Sequence, residues 1–287
     1  MSFPGNENPS WLEAGQYPFR PRYMETEAGR LHYVDEGEGE PLVMLHGNPS
    51  WSFLYRHLIK CLSPKYRCVA PDLPGFGLSE AAPGWSFLPE DHARVVAAFV
   101  DKLDLAGITL FVHDWGGPIG LSYALDRPDN MRRLVLFNTW MWSLKGDPYY
   151  ERFSRIMGGP SGRLLAGSGL LFGMMMKWLF GSESRNYLGP LDTPARRRGC
   201  HVFPREIIGS SKWLDGLWER RRVLADIPAL ILWGGRDVAF RDRELLRWKG
   251  LLGNLKVRVF EEAGHFLQEQ KKGELCPVVE GFLAETP

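Results

Sequence analysis

A short apolar run that ends on a carboxylate and turns at once into small residues leaves a chain few options. Residues 109–118 read Thr-Leu-Phe-Val-His-Asp-Trp-Gly-Gly-Pro. Thr109 to Val112 predicts a buried strand. Gly116 and Gly117 suit a tight turn, and Ile119 to Leu125 predicts the helix after it. Burying a carboxylate is costly unless it is paired or used. A strand that hands a side chain to a sharp turn before a helix has the layout of a nucleophile elbow, with Asp114 in place of serine. Aspartate is also a good helix N-cap. On this stretch alone Asp114 is either a nucleophile or a cap.

The same strand-then-loop unit recurs. Pro41 to Leu45 is a continuous apolar run, as buried parallel strands are, and it ends in His46-Gly47-Asn48-Pro49-Ser50. Arg67 to Pro71 runs into Asp72-Leu73-Pro74-Gly75-Phe76-Gly77. Leu134 to Phe137 ends at Asn138, Ala229 to Trp233 at Gly234-Gly235-Arg236-Asp237, and Val257 to Phe260 leads to Gly264-His265-Phe266. Ahead of these, Met24 to Val34 predicts a hairpin about Ala28-Gly29. Helices are predicted at Phe53–Leu62, Pro89–Leu103, Asp242–Leu252 and Lys272–Ala284; in the second, Val95, Val96, Phe99, Val100 and Leu103 share one face. Strands alternating with helices predict an α/β fold, a mostly parallel, doubly wound sheet. Such sheets place ligand groups beyond the carboxyl ends of their strands. From 139 to 225 the alternation stops. Helical patterns are expected at Tyr149–Met157, Leu164–Leu179, Pro194–Cys200 and Pro204–Leu217. The expected organisation is a core of 1–138 and 226–287 with a helical cap, 139–225, over the sheet edge.

Charge nearly cancels, 35 basic against 34 acidic residues in 287, so nothing suggests a nucleic-acid partner. Cys61, Cys68, Cys200 and Cys276 show neither metal-site nor disulfide spacing, and free thiols suit a reducing, cytoplasmic compartment. Leu164 to Phe180 is apolar but interrupted by Gly and Lys177. It predicts a buried or groove-lining helix rather than a membrane span, and no membrane partner is expected.

Asp114, Asp237 and His265 lie just beyond three strand ends, on one sheet edge, in the chain order nucleophile, acid, histidine. Each has an ordinary explanation alone, but a helix cap does not predict the other two. A histidine held by a carboxylate is a competent general base. An aspartate nucleophile can displace a leaving group from an sp3 carbon, and the resulting alkyl ester is open to water activated by His265. The backbone N–H groups of Asn48 and Trp115 are natural oxyanion donors. Their side chains add an amide and an indole N–H for a departing anion.

His46-Gly47-Asn48-Pro49, Asp72-Leu73-Pro74-Gly75-Phe76-Gly77, His113-Asp114-Trp115-Gly116-Gly117, Trp233-Gly234-Gly235-Arg236-Asp237 and Ala263-Gly264-His265-Phe266 together resemble the haloalkane dehalogenases of the α/β-hydrolase superfamily. The resemblance covers nearly all of the chain outside the cap. It implies Asp114, Asp237 and His265 as catalytic residues and Asn48 with Trp115 as the halide-binding pair. Some members carry the acid after the strand before the cap, where this chain has Asn138. With the acid at Asp237 and asparagine at 48, the pattern is similar to that of the third subfamily. Val112, two before the nucleophile, departs from the usual small residue. The implied reaction converts a small apolar haloalkane and water to an alcohol, a halide ion and a proton, with no metal or organic cofactor.

The cap is less legible. Trp140, Trp142, Phe153, Leu171, Phe172, Met175, Trp178 and Leu179, with Phe240 and Phe266 from the core, are candidates for an apolar pocket wall or for plain packing. Trp178 is a candidate second indole donor. Met174 to Met176 suit an adaptable wall or a contact in a homo-oligomer, and Arg196 to Arg198 read as a solvated face. Tyr149, Tyr150 and Tyr187 keep an epoxide hydrolase in view, if two hydroxyls point at the space above Asp114. A fluoroacetate dehalogenase is disfavoured by Trp115, where that family resembles this one but has arginine. A catalytically silent receptor is disfavoured because all three catalytic positions are filled.

Overall fold

A computed structural model describes residues 9–286. Its strands are β1 (Arg22–Thr26), β2 (Gly29–Glu36), β3 (Pro41–Leu45), β4 (Arg67–Pro71), β5 (Ile108–Asp114), β6 (Met131–Thr139), β7 (Ala229–Gly234) and β8 (Leu255–Phe260). They form one eight-stranded sheet in the order β1-β2-β4-β3-β5-β6-β7-β8. The β1–β2 hairpin and the β2–β4 pair are antiparallel; the rest of the sheet is parallel. β5 is buried along its whole length and β7 likewise, which is why β7 reads as an unbroken apolar run and β5 as a mostly apolar one up to His113.

The connections explain where the site lies. The chain steps from β3 outward to β4, then returns across β3 to lay down β5. That reversal opens a crevice at the carboxyl ends of β3 and β5, the switch point where doubly wound sheets bind ligands. Leu45 is in register with Val112, so the loop after β3, carrying Asn48, lies beside the elbow after β5.

The helices are α1 (Arg56–Leu62), α2 (Pro89–Lys102), α3 (Gly116–Asp126), α4 (Pro148–Met157), α5 (Pro160–Gly167), α6 (Gly169–Phe180), α7 (Ser184–Leu188), α8 (Arg198–Gly209), α9 (Ser211–Glu219), α10 (Asp242–Lys249), α11 (Leu267–Gln270) and α12 (Lys272–Glu285). Pro89 and Pro148 each sit in the first turn of their helix, where a missing N–H costs nothing.

Four expectations need correcting. The apolar stretch from Leu164 is not one helix: Ser168 ends α5, and its side chain accepts from the N–H of Leu171 to start α6. Pro204 does not open a helix but lies inside α8. Arg197 is not solvated. It is buried, and its guanidinium donates to the carbonyls of Ala166 and Leu191, tying α5 to the segment before α8. Cys61 on α1 and Cys276 on α12 form a disulfide, with Cα atoms 6.4 Å apart, while Cys68 and Cys200 are free and buried. Sequence spacing missed the pair because 215 residues separate its members. Half of the thiol argument for a reducing compartment goes with it. Among the described residues no single helix is long and apolar enough to cross a membrane.

Candidate active site

Asp114 closes β5 with φ +51°, a left-handed conformation that non-glycine residues hold only when the surroundings enforce it. Three features enforce it. A Cβ on Gly116 would strike the Leu45 carbonyl, and one on Gly117 the Thr139 hydroxyl. That hydroxyl donates to the Asp114 carbonyl at 2.6 Å. The glycines therefore let α3 start close against β3 and β6, and the turn lifts the Asp114 side chain off the sheet edge. Gly47 is needed for a related reason: a Cβ there would meet the Asp114 carboxylate.

That carboxylate is held asymmetrically. Oδ1 accepts the backbone N–H of Asn48 at 2.7 Å, and the N–H of Trp115 donates to the same carboxylate. Oδ2 lies 3.6 Å from Nε2 of His265. On the far side of the imidazole, Nδ1 donates to Asp237 Oδ2 at 2.8 Å. Asp237 is buried, and its Oδ1 accepts the N–H of Ala239 at 2.6 Å. Thus Asp114, His265 and Asp237 lie in one line, hydrogen-bonded from His265 to Asp237 and in close contact from His265 to Asp114, although Asp114 and His265 are 151 positions apart. His113 supports it from below. Its Nε2–H donates to the His265 carbonyl at 2.9 Å, and the two rings lie 4.6 Å apart.

The electrostatics follow from burial and these partners. Burial raises the Asp114 pKa, against the lowering effect of His265 and the two N–H groups. Burial lowers that of His265, but Asp237 and then Asp114 raise it more, so the imidazole ends above its ordinary value. His113 is pushed down by burial and by His265; it stays neutral and fixes its neighbour without adding charge.

Asn138 carries no acid function. Its side chain accepts from the N–H of Gly234 at 2.8 Å and donates to the Gly234 carbonyl at 3.2 Å. An amide offers both a donor and an acceptor there, which an ionised carboxylate does not. The interaction anchors the end of β7, three residues before Asp237.

Above the line lies a cavity of about 410 Å³ whose polar edge is Asn48, Asp114, Trp115 and His265. Trp140, Phe153, Met175, Trp178, Phe240 and Phe266 all line it. Phe172 does not: it faces inward on α6, buried, with the Arg197 guanidinium 5.4 Å from its ring. Trp142 is also elsewhere, packed against Trp218 and Trp248, and Leu171 is half exposed outside the cavity. Trp178 is mostly solvent-exposed, at 75%, and so sits at the rim. Sequence reasoning missed Phe203, which stacks on Trp115 with ring centroids 5.2 Å apart while Trp140 meets it edge-on at 4.6 Å. It also missed Leu165, Cys200 and Ile207, which line the cavity. Nothing local in the sequence marks these residues, because only the packing of α5 and α8 over the edge brings them there.

The cap tyrosines are committed elsewhere. The Tyr149 hydroxyl donates to the Val238 carbonyl, that of Tyr150 to the Ala239 carbonyl at 2.9 Å, and that of Tyr187 to Glu269 at 2.5 Å. Among the described residues, the two tyrosines that line the cavity, Tyr149 and Tyr150, thus spend their hydroxyl protons on backbone carbonyls rather than offering them to an epoxide alkoxide.

Residues 40–272 match the family model described as the alpha/beta hydrolase fold, and the chain belongs to that family. It is 36% identical to haloalkane dehalogenase 2 of Mycobacterium tuberculosis, over 92% of this chain and 94% of the relative. It is 33% identical to the cis-3-alkyl-4-alkyloxetan-2-one decarboxylase of Xanthomonas campestris pv. campestris, over 94% of this chain and 98% of the relative. Its fold superposes on that of the haloalkane dehalogenase DatA from Agrobacterium tumefaciens C58 with a TM-score of 0.84 and 25% identity, covering 96% of this chain and all of the other. Within the α/β hydrolases the protein is thus one of the haloalkane dehalogenases, a hydrolase acting on carbon–halide bonds.

Proposed function

We propose that Asp114, His265 and Asp237 carry the dehalogenation in two steps, with Asn48 and Trp115 receiving the halide. Oδ2 of Asp114 displaces the halide from an sp3 carbon of a bound haloalkane, forming an alkyl ester. The halide leaves between the indole N–H of Trp115 and the amide of Asn48 without taking a proton. Nε2 of His265 then removes a proton from water, which adds to the carbonyl carbon of the ester. Oδ1 becomes the oxyanion, already between the N–H groups of Asn48 and Trp115. Collapse releases the alcohol, restores the carboxylate and frees one proton from His265. Asp237 holds the imidazole tautomer and offsets its positive charge.

One observation carries this reading: Oδ1 of Asp114 rests on the Asn48 N–H at 2.7 Å while Oδ2 is left to the cavity and His265. The substrate class the lining favours is a haloalkane of modest size, since the cavity is apolar apart from that edge. The test is a halide-release screen against 1-bromo and 1-iodo alkanes, with styrene oxide as control. Halide release without diol formation, lost by a factor of order 10⁴ or more in Asp114→Ala, is expected. Unchanged release in that variant would remove Asp114 from the chemistry.

A second reading has its own support, in the relative from Xanthomonas campestris. In a cis-3-alkyl-4-alkyloxetan-2-one the group on the ring sp3 carbon departs as a carboxylate, so Asp114 could displace it as it displaces a halide. Loss of carbon dioxide from that carboxylate would then form the carbon–carbon double bond and expel the Asp114 carboxylate, giving an alkene in place of halide and alcohol. Carbon dioxide release from such a lactone, in the same enzyme preparation, separates the two.

A further inference from the structure

We propose that the outer face of α5 and α6 is a docking surface for an anionic lipid bilayer, which turns the mouth of the cavity toward the lipid. The inference goes beyond the reaction and does not depend on which leaving group the site accepts.

Helix α6 is apolar on three sides, and each side has a different destination. Phe172, Met176 and Phe180, spaced by four, are buried against the protein. Met175 and Leu179 line the cavity. Leu170, Met174 and Trp178, again spaced by four, point outward and are 75%, 62% and 75% exposed. A surface helix of a globular protein normally turns a polar face to water. Leu164 on α5, 69% exposed, extends the stripe. Together α5 and the segment through Leu191 have the length and apolarity of a membrane span, yet they bend by 93° and cannot cross as one helix. With Phe172, Met176 and Phe180 packed into the protein, the segment has only one apolar side free, which suits contact with a surface rather than passage through it.

Charge says which surface. From Arg152 to Ser182 the chain has no Asp or Glu. Arg152, Arg155, Arg163 and Lys177 are all exposed there. Exposed Trp and Leu bordered by cations, on a helix with no acidic residue, is the pattern of an interfacial helix on anionic lipid. A second copy fits less well. A two-fold contact would set this patch against itself, bringing like charges together with no acid to pair them. The cavity opens beside the patch, since exposed Trp178 and Phe153 belong to its lining. Apolar substrates concentrate in bilayers, so a docked enzyme would draw them from the lipid.

The experiment is co-sedimentation of the full-length protein with vesicles of phosphatidylcholine alone, or of phosphatidylcholine with phosphatidylglycerol. Binding is expected to the second kind and to weaken as salt is raised. Leu170→Glu with Met174→Glu should lower the bound fraction at least about tenfold. Arg163→Glu with Lys177→Glu should remove the preference for phosphatidylglycerol, at roughly fivefold per cation lost. None of these four residues lines the cavity. Turnover of a short, water-soluble bromoalkane and the unfolding midpoint should therefore stay unchanged, which guards against misfolding. Wild-type protein that ignores the charged vesicles overturns the proposal. So does a dimer in sedimentation that the two glutamates dissolve, which would assign the face to a second copy. Vesicle binding is read without turnover, so failure of the dehalogenation mechanism and failure of this surface give different results.

Discussion

The two walls of the cavity are built to opposite rules. On the sheet side, the groups that hold the line have defined polar partners: the backbone N–H of Asn48 on Asp114, His265 on Asp237, Asn138 on Gly234. On the cap side the wall is mostly carbon, from Phe153, Leu165, Met175, Trp178 and Leu179, and the two tyrosines that reach it spend their hydroxyls on the carbonyls of Val238 and Ala239. The difference separates two tasks. A fixed array of donors lowers a barrier, because its dipoles need not reorganise as charge develops. A carbon wall sorts substrates by shape and length without touching the reacting atoms.

If that division holds, substitutions in the sheet wall should change rate by orders of magnitude and those in the cap should change preference. The largest effect is expected from His265→Phe. Alkylation of Asp114 needs no base, so the ester should form and persist. Mass spectrometry after one turnover should find Asp114 heavier by the alkyl group, and rapid release would show that another group activates the water.

Next is Trp115→Phe, which keeps the ring that Phe203 stacks on but loses the N–H. The rate should fall by about 10²–10³, the cost of removing one comparable donor. Halide release at the wild-type rate would move the leaving group elsewhere in the cavity.

Smaller still is the pH dependence. The proposed base works neutral, and the pKa of His265 lies above its ordinary value of 6.5. Turnover should therefore be low in acid and rise as pH passes through a point above 6.5. Burial works against that rise, and Asp237 is its main source. In Asp237→Asn the residual activity should therefore show its acid limb at lower pH. A limb that does not move would mean that another carboxylate, such as Asp147 or Asp242, orients the imidazole. Asp147 is already paired with Arg243 and Arg241.

The smallest effects belong to the cap. Phe153→Ala and Trp178→Ala should alter the ratio of kcat/KM between short and long bromoalkanes by about tenfold, near the lower bound for one methylene in an apolar pocket. The kcat for the shortest substrate should change little. If either lowered that kcat a hundredfold, as Trp115→Phe is expected to, the cap would share in the chemistry and the division would fail.

Much of this molecule could be read before folding. The β3, β5 and β7 runs are short and continuous, and each loop follows its strand directly. Local pattern therefore placed Asn48, Asp114 and Asp237 on one edge, and the same logic placed His265 after β8. The elbow was legible because its glycines and its carboxylate are covalent neighbours, although what forbids a Cβ at Gly116 and Gly117 comes from other strands, the Leu45 carbonyl and the Thr139 hydroxyl. What sequence could not decide depends on contacts between distant segments. Arg197 looks like one more surface arginine until α5 offers it the Ala166 carbonyl. Tyr149 and Tyr150 look like proton donors until the loop after β7 takes their hydroxyls. Cys61 and Cys276 meet only because α1 packs on α12. In α6 the apolar pattern covers three sides of the helix, so periodicity offered no choice among them, and only the packed structure separates the core stripe from the cavity stripe and the outward one. Local stereochemistry determined where the reactive groups stand. Long-range packing decided which of the others remain free to act.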